Sequence, residues 1–147
     1  TEWANISSTG IQTSGVVTAT GNVSGGNVTT TGTIQGATTV LKKFNETAVA
    51  LGNKTGDVSG DINATNGSIF TLTATGGITL NTIANAVAGT SATVIITQDG
   101  TGSHALTSSM KFAGGDKTLS TAGGAIDVIS IFFDGSVYYA SLTKAYA

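Results

Sequence analysis

From Ile11 to Val40 the large apolar residues fall roughly every six positions: Ile11, Val17, Val23, Val28, Ile34 and Val40. Glycines such as Gly15, Gly21, Gly26 and Gly32 lie between them, with Thr, Ser and Asn filling the rest. A surface helix needs three to four apolar residues per two turns. A half-buried strand needs one at every second position. This spacing satisfies neither. It predicts short strands broken at glycine turns, each giving one or two side chains to a narrow core. A single-chain coil with about three strands per turn would close only about two turns, with both ends open. Three parallel copies, each supplying one strand per layer, make a closed stem core from the same six residues. Fully extended, the segment reaches at most about 100 Å, so it is a short spacer.

Beyond Val40 the pattern tightens to every second residue. Ser68 to Thr75 sets Ile69, Thr71 and Thr73 against Phe70, Leu72 and Ala74. Ala92 to Asp99 places Val94 and Ile96 on one face, and Ile78 to Leu80 reads as a further short strand. Thr82 to Gly89 is the one helical turn expected. Asp99 to Gly102, DGTG, is a turn signal. The clearest hairpin runs from Ile126 to Leu142 around Asp134-Gly135, the dipeptide that two-residue hairpin turns prefer. Phe132, Phe133, Tyr138 and Tyr139 flank that turn as cross-strand pairs that pin the register. The expected architecture is all-β, with a short trimeric β-stem, intertwined or β-helix-like, over residues 11–40. An antiparallel β-sandwich or jelly-roll knob follows over residues 41–147.

Residues 1–10, TEWANISSTG, precede the stem and hold the single tryptophan. Large aromatics bury much area for little entropy at interfaces. Trp3, with Ile6, is therefore the expected anchor onto a larger particle.

Composition narrows the function. Only 10% of the 147 residues are charged, against about 25% in ordinary soluble chains. With 39% hydrophobic residues and clear β patterning, the Gly/Thr/Ser richness does not mean disorder. The net charge is −2 and all six basic residues are lysines, so no basic stripe is present to neutralise phosphates and no nucleic-acid partner is expected. No apolar run is long enough for a membrane-spanning helix, and no membrane partner is expected. Cysteine is absent, which excludes disulfides and thiolate metal sites.

Catalysis asks for a nucleophile with its base, paired carboxylates or a metal. The single histidine, His104, has no evident serine partner set. Asp57, Asp61, Asp99, Asp116, Asp127 and Asp134 mostly adjoin glycine or turn residues, which turn chemistry explains. Asn53 to Asp61, NKTGDVSGD, lacks the bidentate glutamate and regular acidic spacing of a calcium loop. No catalytic residue, metal site or cofactor is therefore expected. An enzyme would need a carboxylate pair in one groove, within or between chains.

Three stretches carry a resemblance. GNVSGGNVTTTGTI (residues 21–34) is similar to repeats in the stems of tailed-bacteriophage fibre and spike proteins. LSTAGGAIDVISIFFDGSVYYASL (residues 119–142) resembles the closing hairpin of phage fibre knobs, and TQDGTGSHAL (residues 97–106) resembles their internal hairpin. The likeness implies a homotrimer with a parallel stem and a distal knob, located on the virion surface. With so short a chain it implies a head or neck fibre or a capsid decoration protein, held through Trp3 and Ile6 to the major capsid protein or to a neck or tail protein. The competing expectation is a receptor-binding tail-fibre knob recognising host surface glycan, for which Tyr138 and Tyr139 are candidate contacts beside their alternative packing role. A secreted bacterial adhesin or filament subunit is the reading from another class.

Overall fold

The structure is a computed structural model and describes residues 43–146, all within the compact unit Lys42–Ala147. The anchor positions Trp3 and Ile6 lie outside the described residues. So do the stem positions Ile11, Val17, Val23, Val28, Ile34 and Val40.

Seven strands form one sheet among the described residues: β1 (Ala48–Asp57), β2 (Ile69–Thr79), β3 (Ser91–Gln98), β4 (Leu106–Thr107), β5 (Lys111–Phe112), β6 (Ile126–Phe133) and β7 (Tyr138–Tyr146). Their order is β1-β2-β3-β6-β7-β5, with β4 paired to the far end of β2. The first three strands are parallel, so that Ala48, Ile69 and Thr93 stand in register on successive rungs. A second parallel contact, Asn63 with Ala84, stacks the return segments on the opposite wall. There Ala84 N–H donates to Ile62 O (2.8 Å), and Ala64 N–H to Ala84 O (2.9 Å). This is solenoid-like stacking. The antiparallel hairpin β6–β7 then closes it on β3.

The all-β class holds. The antiparallel sandwich or jelly roll expected of residues 41–147 differs from the sheet observed, which mixes parallel and antiparallel pairs. The physical reason lies in the connections. Residues 58–68 and 80–90 are each long enough to cross over, where hairpin loops need only two to five residues. Alternation along a strand is the same in either direction, so the residue pattern alone left direction open. Thr82 to Gly89 carries the Asn63 bridge and turns rather than a helical turn. The DGTG turn leads to β4, which pairs with β2, so it is not a hairpin tip.

Alternation decides the core. Phe70, Leu72 and Ala74 of β2 face inward with Ala92, Val94 and Ile96 of β3 and Ile129 and Ile131 of β6. Val58, Ile62, Leu80 and Ile83 from the return segments cover them, together with Leu106, Met110, Phe112 and Leu119. Connecting segments thus do the work a second sheet would do in a sandwich. Close backbone approach is needed where they meet the sheet: a Cβ on Gly67 would lie 2.6 Å from Thr47 O, and one on Gly123 would lie 2.6 Å from Gly100 O.

Candidate binding groove

The side chains that alternation turns away from the core are the ones left to meet a ligand. On β3 these are Ser91, Thr93, Ile95 and Thr97; on β6, Ile126, Val128, Ser130 and Phe132. Antiparallel register places Ser91 beside Phe132 and Phe132 beside Tyr139. One row further along, Thr93 stands beside Ser130 and Ser130 beside Ser141. An aromatic row and a hydroxyl row therefore lie side by side. They line an open groove of about 450 Å³ with no charged side chain in its lining. Phe132 is 46% exposed and Tyr139 45%, a large apolar area for neighbouring positions on one face.

The two tyrosines named from the sequence separate. Tyr138 stacks on Phe133 (centroids 4.2 Å apart, planes at 16°), and its hydroxyl donates to Ile83 O at 3.3 Å. It packs the hairpin against the return segment. Tyr139 alone of the pair presents its ring to the groove.

The hairpin turn holds the groove's aromatic end. Asp134 Oδ1 accepts the N–H groups of Ser136 and Val137, each at 2.7 Å. These bonds, Val137 first, hold the Asp134 carboxyl below its ordinary range; the Tyr139 hydroxyl and the Lys111 charge act in the same direction. Lys111 is the register partner of Tyr139. Phe133 N–H donates to Thr90 O (2.9 Å) and Gly89 N–H to Phe133 O (2.8 Å), which ties the turn to the start of β3. The groove is consequently built on paired backbone throughout.

His104 is placed by its surroundings. Its Nε2 lies 2.9 Å from Asp99 Oδ1, and Asp99 also accepts the N–H groups of Thr101 (2.8 Å) and Gly102 (3.0 Å). The Gly102 N–H first, and then His104, hold the Asp99 carboxyl below its ordinary range. The buried Gln98 amide bonds both ways to the His104 backbone, at 2.9 Å each. Asp57 and Asp116 likewise accept the N–H two residues on, as turn-forming aspartates do. Asp61 pairs with Lys54 at 3.0 Å. Asp127 departs from that pattern: it is fully buried in a strand. Among the described residues no three His, Asp or Glu side chains gather as a metal site requires, and no helix is long and apolar enough to cross a membrane.

The sequence placed Phe132 among the aromatics flanking the hairpin turn but gave it no binding role, because nothing along the chain says which face of β6 is covered. Ser91, Thr93, Ser130 and Ser141 carried no signal at all, since Ser and Thr are everywhere in this chain.

Residues 54–138, more than half of the chain, match the model of a family described as "Putative phage tail fibre C-terminal domain". No curated protein and no solved structure matches the chain.

Proposed function

Because the chain belongs to that family of phage tail-fibre C-terminal domains and is thus a structural component of a phage fibre on the virion, we propose that it is the host-contacting end of a homotrimeric fibre. In this reading the groove over β3, β6 and β7 holds host surface glycan. The observation that carries it is the exposed Phe132–Tyr139 pair lying beside the Thr93–Ser130–Ser141 hydroxyl row in an uncharged groove. An aromatic ring offers an apolar face to the C–H face of a sugar, while serine and threonine hydroxyls both donate to and accept from sugar hydroxyls. Sites of this kind are largely apolar, with a few placed polar groups that fix orientation.

No bond is made or broken in this role, and no cofactor or metal takes part. Attachment of the fibre to the particle is assigned to Trp3 and Ile6, and assembly of the three chains to the apolar stem positions from Ile11 to Val40. A tail position, a head or neck position and the role of a capsid decoration protein are separated by locating the chain on the particle with labelled antibody fragments.

The test is adsorption. Full-length protein carrying Phe132→Ala and Tyr139→Ala, folded as judged by circular dichroism, is compared with wild type on host cells and on a panel of neutral and acidic bacterial glycans. Loss of retention on cells and glycans together is expected. Undiminished retention by the folded double variant would sink the groove as the contact site.

A further inference from the structure

Ser91 lines two cavities. One is the groove just described; the other, about 480 Å³, opens on the far side of Ser91 and runs between Phe44, Thr65, Asn85 and Val87. Phe44 and Val87 are each 71% exposed, the most exposed large apolar side chains described. Between them the polar groups are fixed in advance. Asn63 Oδ1 accepts from Thr65 N–H (3.0 Å), Thr65 Oγ1 (2.8 Å) and Asn85 Nδ2 (3.0 Å), which pins Thr65 and Asn85 in place. The two cavities share Ser91 as a wall residue.

We propose that the two cavities act as one surface channel and bind a linear, uncharged polysaccharide, whose successive rings run from the Phe132–Tyr139 platform past Ser91 to Phe44. The proposal rests on the glycan reading above and adds the polymer class and the direction of the chain. Length is the first argument. Tyr139 and Ser91 already stand two strand spacings apart, about 10 Å, and the second cavity continues beyond Ser91. A single terminal sugar would leave Phe44 and Val87 uncovered. Charge is the second. Glu46 is the one charged side chain in either lining. A polyanion would meet Glu46 with no cation in the lining to answer it, so a neutral chain fits better. The third is that the apolar faces sit at the two ends with hydroxyls and amides between them. A ligand that alternates C–H faces with hydroxyl edges along its length matches that order.

The experiment uses full-length protein with linear oligomers of glucose and of N-acetylglucosamine, from disaccharide to hexasaccharide, and oligomers of glucuronic acid as the acidic comparison. Affinity is read by calorimetry and on a printed array. The neutral hexasaccharide is expected to bind at least about tenfold more tightly than its disaccharide. Phe44→Ala with Val87→Ser should erase that gain and leave disaccharide binding unchanged; both positions are exposed, so the fold is retained. Phe132→Ala with Tyr139→Ala should abolish binding at every length. Equal affinity at all lengths, or preference for the acidic oligomers, would overturn the channel while leaving the Phe132–Tyr139 site standing. Absence of binding at every length would overturn both readings together.

Discussion

Replacing Asp127 tests whether one buried carboxylate fastens the end of the fold. Its side chain is fully buried. Oδ1 accepts Ser120 Oγ–H at 2.7 Å and Ala145 N–H at 3.0 Å, and Oδ2 accepts Ser120 N–H at 2.7 Å. The β6–β7 register shifts between Ile126 and Val128, so Lys144 and Ala145 of β7 stand opposite the single residue Asp127 and form a bulge. Ala145 sits in that bulge with φ +58°, a strained conformation for alanine that costs about 1–2 kcal/mol and is held by its bond to the carboxylate. In Asp127→Ala three donors lose their acceptor. Each bond to a charged group contributes about 1.5–3 kcal/mol, but the half-buried Ser120 regains some water. The expected loss is therefore about 3–5 kcal/mol. In a domain of this size about 4 °C of Tm accompanies each kcal/mol, so Tm should fall by at least about 12 °C. Asp127→Asn keeps one carbonyl oxygen and should lose about half as much. Ser120→Ala removes one of the three bonds and should lose least. Thermal and urea unfolding followed by circular dichroism, at one fixed chain concentration, measures all three. An Asp127→Ala protein melting within about 2 °C of wild type, or a reversed order of the variants, would refute the clasp.

Three further outcomes follow from particular contacts. Gly102 and Gly52 share φ +69°, but a Cβ on Gly102 would run into the Thr121 carbonyl while one on Gly52 meets nothing within 4 Å. Gly52→Ala should cost only the backbone strain of about 1 kcal/mol, and Gly102→Ala should cost clearly more by calorimetry; equal losses would disprove the close approach. Phe70→Ala, at a site with no exposure, should cost about 3–5 kcal/mol in urea unfolding, and a loss under about 1 kcal/mol would place Phe70 outside the core. The Lys144 ammonium (2.7 Å) and the Thr118 N–H bring the Asp116 pKa down to about 2. Because that value is depressed, the pair's contribution is complete above the unfolded value of 3.8 and fades as pH falls towards 2. Carboxyl NMR titration should show the low midpoint, and Lys144→Met should move it up; no movement would mean the pair is not formed in solution.

How far the sequence reached can be judged from single elements. The hairpin was legible as an element, but its register was not: a two-residue turn at Asp134-Gly135 would pair Phe133 with Ser136, whereas Phe133 pairs with Tyr138 and Phe132 with Tyr139 across residues 134–137. The inward faces of β2 and β3 were legible, because Phe70, Leu72, Val94 and Ile96 alternate with Thr. Strand direction was not. Period-two alternation is blind to it, and threonine-rich outer positions suit parallel and antiparallel neighbours equally. Only the length of residues 58–68 and 80–90 hinted at crossovers, and without a helical pattern between strands the hint was weak. Buried Asp127 stands between Ile126 and Val128 in a strand pattern, yet it was grouped with the turn aspartates because most aspartates in this chain do make turns. Its bonds go to Ser120, seven residues back, and to Ala145, eighteen residues on, and neither spacing marks a partner in the sequence.

The groove shows why a binding site can be missed in a chain so rich in Ser and Thr. A hydroxyl row becomes a recognisable feature only when three strands are set in register, as Thr93, Ser130 and Ser141 are. That same regularity shapes how the site would work. The groove stands on paired strands, so little ordering is needed when ligand arrives, which favours binding. It is also shallow and open, without a deep pocket to desolvate a sugar fully, so each chain alone should bind weakly. The homotrimer proposed above would resolve that conflict. Three weak sites in one trimer would act at high effective concentration on a surface polymer, and avidity would then exceed any single affinity by about 10²–10⁴. A repetitive polysaccharide would meet all three copies at once. On this argument the stem and the groove belong to one device: the spacing of apolar residues from Ile11 to Val40 is what would convert a modest face of Phe132, Tyr139 and hydroxyls into durable attachment.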